Sequence, residues 1–352
     1  MKTKIVVLIV LLVLCGVVSM FLFGNRSSKG KVGISMPSHL DRWQKEGAII
    51  HDQLKDMNYE AILAYADENV ERQKTQLKEM IENGCKCLIV TPVDAFALQE
   101  VMELAKSKKV DVISYDRLIM NSDAVTGYVT FDSLHTGDLM AWFILNKLKP
   151  SRENVCTLEI FCGDSKDSNT PYLYQGAMKR LTPYLEDKSL VIRSGQQSIA
   201  DTAIEHWSQD NARKRMEELL AKYYTKEPPN AVLVMNDSMA RGVLAALEAS
   251  GCKEQLPIIT GQDCDLENVK LIMERKQYLS VFKDVRVLAE QAAMMADAVM
   301  SKKEMPVNYP MGINNGAIDV PTYLNKPVAV TRSHVKKLLV DSGYYEEKEV
   351  KK

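Results

Sequence analysis

Short apolar segments alternate with longer amphipathic segments along most of the chain, and this alternation constrains the fold more than any other feature. Residues 32–36 and 60–65 have the length and apolar character of strands, whereas residues 41–57 and 71–83 have the periodicity of helices. Such an alternation indicates parallel sheets with right-handed crossovers. It begins again near Thr157, and 352 residues exceed what one hydrophobic core usually supports. The sequence therefore predicts an α/β protein with two doubly wound, Rossmann-like lobes.

Residues 1–30 form a separate segment. Residues 5–23 carry no charge over 19 positions, which is long enough for a helix to span a bilayer. We expect a retained membrane anchor, with lipidation at Cys15 and cleavage after Ser19 as alternatives. A small residue is expected before a lipidated cysteine, but Leu14 occupies that position. In each case the rest of the protein is expected to work outside the cytoplasm, either periplasmic or anchored to the cell membrane.

The charge of the chain is balanced, with 45 Lys and Arg against 46 Asp and Glu, which argues against broad attraction to nucleic acid. The sequence has no G-x-G-x-x-G after a strand, no G-x-x-x-x-G-K-[ST], no HExxH and no G-x-S-x-G. Paired carboxylates can hydrolyse glycosides, but the Arg and Lys residues beside them here would keep such acids ionised. We therefore expect a protein that is not an enzyme and that needs no cofactor or metal.

Polar side chains follow many of the predicted strands, either where the strand ends or in the loop that comes after it. They are Arg42, Asp116, Arg117, Asp132, Asn236, Asp237, Gln262, Asp263, Lys283 and Asp284. Taken alone, each could cap a helix or turn, but open α/β sheets bind ligands beyond the carboxyl ends of their strands. Carboxylates, amides and guanidinium groups suit the hydroxyls of a sugar, and Trp43 and Trp207 could cover its C–H face. The pattern predicts a cleft between the lobes that holds a small ligand rich in hydroxyls.

These residues also belong to longer motifs. In chain order the motifs are Arg42-Trp43, Tyr115-Asp116-Arg117-Leu118-Ile119, Phe131-Asp132, Gly261-Gln262-Asp263, Phe282-Lys283-Asp284, Asn314-Asn315-Gly316, Val320-Pro321, Lys326-Pro327-Val328-Ala329-Val330 and Asp341-Ser342-Gly343-Tyr344-Tyr345. In this order and spacing, over about residues 30–348, the chain resembles the periplasmic aldose-binding proteins of the ribose-type (type I) solute-binding family. The xylose-binding and multiple-sugar-binding members are the most similar. The resemblance implies that a hinged two-lobe clamp binds a sugar without chemistry.

The resemblance also implies which residues contact the ligand. Carried over position by position, they are Arg42, Asp116, Arg117, Asp132, Asn169, Asp237, Asp263 and Lys283, with Trp43 and Trp207 as aromatic walls and Asn211 as a further candidate. The chain departs from the pattern at Ser133, where relatives usually have Asn, and at Asp167-Ser168-Asn169-Thr170, where they often have Asp-Asn-Asn-Ala. An aldopentose or aldohexose is implied, and a xylose-like sugar is favoured.

The implied hinge has three crossovers between the lobes. We expect an N-terminal lobe of residues 31–132 plus 284–304, a C-terminal lobe of residues 133–283 plus 305–345, and a charged tail of residues 346–352. The implied partner is an ABC sugar permease. The alternative is that the protein is a membrane-anchored sugar-sensing subunit that signals to a sensor kinase or chemoreceptor.

Overall fold

The computed structural model describes residues 28–252 and 256–351. The predicted membrane anchor at residues 5–23 lies outside the described residues. Within the part that is described, no helix is long and apolar enough to cross a membrane.

The described residues alternate between strands and helices as the sequence predicts. The strands are β1 (Lys31–Met36), β2 (Glu60–Tyr65), β3 (Cys85–Val90), β4 (Asp111–Tyr115), β5 (Val125–Phe131), β6 (Cys156–Phe161), β7 (Leu190–Val191), β8 (Ala231–Val234), β9 (Ile258–Ile259), β10 (Ser280–Phe282), β11 (Tyr309–Asn314), β12 (Asp319–Asn325) and β13 (Val328–Val330). The helices are α1 (Asp41–Asp56), α2 (Val70–Glu82), α3 (Gln99–Ser107), α4 (Ser133–Leu148), α5 (Asn169–Glu186), α6 (Ile199–Thr202), α7 (Gln209–Tyr223), α8 (Asp237–Ala249), α9 (Leu266–Met273), α10 (Val285–Met300), α11 (Arg332–Val335) and α12 (Glu347–Val350). A 3₁₀ turn (Glu205–Trp207) and a π-helical turn (Lys336–Val340) complete the described elements.

The first lobe is built on one sheet with the strand order β11-β12-β5-β4-β3-β1-β2. All its neighbouring strands are parallel except β11 and β12, which form an antiparallel hairpin at one edge. The apolar face of α10, with Leu288 and Ala292, packs against Ile34, Ile89 and Ile113 of this sheet. The helices that cover the sheet explain why its central strands are apolar almost throughout.

The second lobe has a parallel sheet with the order β7-β6-β8-β9. A bridge between Gln262 and Val281 carries this sheet on to β10, which pairs in turn with β13 in antiparallel register. Strands β6 and β8 are buried at every position because helices cover both faces. The two sheets confirm the predicted α/β fold of two doubly wound lobes.

Three chain crossings join the lobes: β5 to α4, β10 to α10, and β12 to β13. The third crossing corrects the expected boundary, which places residues 305–325 in the C-terminal lobe. Instead β12 pairs with β5 of the first lobe, and the chain passes to the second lobe only between Asn325 and Val328. The hairpin was missed because β11 is largely exposed, with Tyr309 and Met311 facing outward, and so lacks the apolar pattern of a buried strand.

Candidate functional site

A cavity of about 760 Å³ lies between the lobes, at the carboxyl ends of the strands. Its lining comes from both lobes and from the crossings that join them. The lining includes eight of the eleven side chains that are expected to contact the ligand: Arg42, Trp43, Asp116, Arg117, Asn169, Trp207, Asp263 and Lys283. Most of the polar side chains that follow strands therefore lie together at this cavity.

Asp116 occupies an unusual backbone conformation directly after β4. Its φ of 59° lies in the left-handed region, which Asp tolerates better than most residues. Its N–H donates to Val129 O at 2.8 Å, and the hydroxyls of Tyr128 and Thr130 both donate to its carbonyl oxygen at 2.8 Å. These bonds hold the strained residue in place and fix the direction of its carboxylate into the cavity.

The carboxylate of Asp116 belongs to a chain of alternating charges that crosses the cleft. Arg42, from the first lobe, donates to Asp116 and lies 3.4 Å from Asp263 of the second lobe. Its Nε donates to Glu46 at 2.6 Å, and Lys283 Nζ lies 2.8 Å from Asp263. Each buried charge therefore has a partner of opposite sign, as burial requires.

The charges in this chain set the ionisation of Asp116. Burial acts to raise the pKa of Asp116, but the attraction of Arg42 and then of Lys283 outweighs burial and lowers it. Glu46 lies deeper, and burial raises its pKa although Arg42 opposes the effect. Asp116 thus faces the cavity as an ionised acid, and an ionised carboxylate accepts hydrogen bonds from hydroxyls.

Arg117 joins a second cluster with Asp167 and Trp207. The Nε of Arg117 lies 2.8 Å from the carboxylate of Asp167, but its N–H is not aimed along that line, so the contact is an ion pair rather than an aligned hydrogen bond. Trp207 Nε1 donates to Asp167 at 3.2 Å. A Cβ at Gly163 would lie 2.1 Å from the Trp207 ring, so only glycine leaves room for the indole there.

Trp43 contributes to the cavity from the core of the first lobe. It is buried, and the guanidinium groups of Arg42 and Arg117 lie 4.3 and 5.6 Å from its ring centroid. These distances are within the range of cation–π attraction. Trp43 therefore also holds the two arginines that point into the cavity.

Three of the residues expected to contact the ligand do not line the cavity. Asp132 caps α4 by accepting from His135 N at 2.8 Å, which is the alternative role of a strand-end acid. Asn211 is exposed in the first turn of α7, and its Nδ2 donates to Glu205 O at 3.4 Å. These two expectations are corrected, because helix starts rather than the cleft determine where the two side chains lie.

Asp237 is the third correction. Its carboxylate turns away from the cavity and accepts from Ser280 Oγ at 2.8 Å, from Gln277 Nε2 at 2.9 Å and from Asp265 N at 2.9 Å. Burial and then the nearby Asp265 raise its pKa well above the usual value. The preceding residue, Asn236, lines the cavity in its place.

Asn236 and Gln262, which belong to the polar side chains that follow strands, also line the cavity. Lining residues that the sequence did not single out as polar groups for the ligand include His39, Glu68, Asp167, His206, Asp265, Tyr344 and Tyr345. Tyr344 and Tyr345 lie inside a motif noted above, although no contact with the ligand was assigned to them. Glu68 lies in a loop and His206 in the 3₁₀ turn, and no periodicity marks either residue in the sequence.

Comparisons with known proteins agree with this geometry. A family model described as a periplasmic binding protein domain matches residues 32–304. The multiple sugar-binding periplasmic receptor ChvE of Rhizobium radiobacter is 36% identical over 330 residues, which are 92% of this chain and 93% of the receptor. The D-xylose-binding periplasmic protein of Escherichia coli is 28% identical over 342 residues, which are 97% of this chain and 98% of that protein.

A solved structure is also similar to this chain over most of its length. An ABC transporter solute binding protein from Clostridium phytofermentans, determined with bound β-D-glucose, is 44% identical and superposes with a TM-score of 0.88. The match covers 91% of this chain and 99% of that protein. The resemblance inferred from the motifs is therefore confirmed, and the chain belongs to the periplasmic binding protein domain family.

Proposed function

We propose that this protein binds a monosaccharide, an aldopentose or aldohexose with a xylose-like sugar favoured, in the cleft between its lobes. The observation that carries the proposal is the chain of alternating charges formed by Arg42, Asp116, Asp263 and Lys283. Ionised Asp116 can accept from two hydroxyls while the cations donate to hydroxyl or ring oxygens. The ligands for which the relatives are named, which are multiple sugars, D-xylose and β-D-glucose, support the same class.

Because residues of both lobes line the site, we infer that the lobes close around the ligand when it binds. Arg42 and Asp116 belong to the first lobe, whereas Asn169 and Asp263 belong to the second. A ligand that contacts both lobes binds the closed arrangement more tightly than the open one, and this difference in affinity shifts the population towards the closed state. A closed and an open form then present different surfaces to a partner.

In this proposal the partner is an ABC sugar permease, and the protein works outside the cytoplasm, held by residues 5–23. The family supports transport, and so does the Clostridium relative, which is an ABC transporter solute binding protein. Deletion of the gene should reduce uptake of the labelled sugar; loss of a sugar-induced response with normal uptake would favour the sensing alternative. Mass measurement of the native protein tests the anchor, since a chain that starts at Cys15 or near Met20 would contradict it.

A thermal-shift screen tests the binding class directly. The full-length protein is heated with D-xylose, D-glucose, D-galactose, L-arabinose, D-ribose and L-fucose in turn. A ligand at about 100 times its dissociation constant adds about 2.7 kcal/mol to the free energy of unfolding, so at least one sugar should raise the melting temperature. If all six leave the melting temperature unchanged, the proposal fails.

A further inference from the structure

The loop after β6 reaches from the second lobe to the first. The backbone N–H of Ala95 donates to Lys166 O at 3.1 Å, and the backbone N–H of Leu118 donates to Ser168 Oγ at 2.7 Å. The same loop provides Asp167 for the ion pair with Arg117. We call residues 164–169, together with residues 92–95 and 116–118, the interlobe clasp.

The second lobe sets the shape of the clasp loop by itself. Asp164 is the organising residue: its carboxylate accepts from Lys166 N at 2.8 Å, and its carbonyl oxygen accepts from Asp167 N at 3.1 Å and from Thr170 Oγ1 at 2.7 Å. A loop that is already held in its contact geometry loses little conformational freedom when it meets the other lobe. The contacts of the clasp therefore favour approach of the lobes with a small entropic cost.

Ser168 differs from the residues on either side of it. Asp167 and Asn169 line the cavity, whereas Ser168 does not. The Ser168 side chain is buried and accepts its hydrogen bond from the backbone of the other lobe. A change at Ser168 can therefore act on the contact between the lobes without removing a contact to the ligand.

We propose that Ser168 sets the affinity for the ligand by holding the two lobes together through the clasp, without touching the ligand. The apparent dissociation constant is the intrinsic constant divided by the fraction of molecules in the binding-competent arrangement. Weakening the clasp lowers that fraction by the same factor for every ligand. The effect on affinity rests on the proposed function, whereas the effect on contact between the lobes does not.

Hydrogen exchange of the full-length protein without sugar tests the clasp itself. In Ser168→Ala, the amides of both Leu118 and Ala95 should exchange faster, although only Leu118 bonds to Ser168. The amide of Ile119 is the internal control, because it donates to Ser114 Oγ at 2.9 Å within the first lobe. Faster exchange at Leu118 alone would show only the loss of one local bond and would overturn the clasp.

Calorimetric titration with D-glucose and D-xylose tests the effect on affinity. Ser168→Ala removes one buried hydrogen bond and should raise the dissociation constants of both sugars by the same factor, about two- to tenfold. Ser168→Thr keeps the hydroxyl acceptor, so both of its dissociation constants should stay close to those of the unmodified protein. Ser122→Ala is the matched control, since this buried hydroxyl accepts from Ala124 N at 3.2 Å within the first lobe and should leave both constants unchanged.

Two outcomes separate this proposal from the proposed function. Unequal changes for the two sugars would place Ser168 in contact with ligand and overturn the proposal. If the unmodified protein binds no sugar of the panel, the proposed function fails, and so does the claim about affinity. The exchange rates of Ala95 and Leu118 still decide whether the clasp joins the lobes.

Discussion

Asp116 in the first lobe and Asp237 in the second are acids at comparable places in the fold. Both lie just beyond the carboxyl end of a parallel strand, β4 or β8. Asp116 faces the cavity with a lowered pKa because its cations outweigh burial, whereas Asp237 is fully buried with its pKa raised well above the usual value. Two similar positions thus carry carboxylates in opposite electrostatic environments.

The backbone that follows each strand explains the difference. Asp116 has a φ of 59°, and this left-handed turn directs its side chain into the cleft. In the second lobe Asn236 caps α8 by accepting from Met239 N at 2.8 Å, so Asp237 is already the first helical residue. The position after a strand therefore brings a residue to the cleft edge, but the next turn decides which way its side chain points.

The largest effect is expected from Asp237→Ala. The change removes the acceptor for Ser280 Oγ and Asp265 N in a buried network, which should lower the free energy of unfolding by about 3 kcal/mol. Urea denaturation measures this loss, and Asp237→Asn should lose less because it keeps one acceptor oxygen. Normal stability with abolished sugar binding would instead return Asp237 to the ligand, as the resemblance implied.

Asp116→Ala should act mainly on affinity. The ligand hydroxyls would lose a charged partner, at a cost of about 1.5–3 kcal/mol or about ten- to a hundredfold in the dissociation constant. Asp132→Ala is the matched control: it removes a helix cap, which should cost about 1 kcal/mol of stability and leave the affinity unchanged. Calorimetric titration beside melting curves distinguishes the two, and equal affinity in both variants would remove Asp116 from the site.

The smallest expected effect is on how the free energy of unfolding depends on pH, and its sign differs between Asp116 and Asp237. The pKa of Asp116 is lowered in the folded state, so its stabilisation is present above the unfolded value of about 3.9 and is lost as pH falls through the folded pKa. The pKa of Asp237 is raised in the folded state. Its contribution to stability is therefore most favourable below the pKa of the unfolded state and is lost as pH rises through the folded pKa.

Urea midpoints measured at a series of pH values check these signs. In Asp116→Asn, the free energy of unfolding should fall less steeply as pH drops below about 4. In Asp237→Asn, it should fall less steeply as pH rises above about 4. The same slope in both variants would mean that the two acids share one environment.

The sequence predicted the alternating fold because apolar strands and amphipathic helices carry their own periodicity. It did not predict the hairpin of β11 and β12, because an exposed edge strand lacks that periodicity. Strand ends located Arg42, Asp116, Asp263 and Lys283 at the cavity. They also nominated Asp132, although whether an acid caps a helix or enters a cleft depends on backbone angles that one sequence does not contain.

The last crossing affects how the protein is made. Residues 319–330 complete both lobes, since β12 pairs with β5 and β13 pairs with β10. During synthesis the first lobe cannot finish its sheet until residues 319–325 have left the ribosome, about 190 residues after β5, and pairing between such distant segments slows folding. A chain terminated before β12 would expose the hydrogen-bonding edge of β5, which is a template for aggregation. Truncated forms should therefore accumulate as insoluble protein rather than as a stable single lobe.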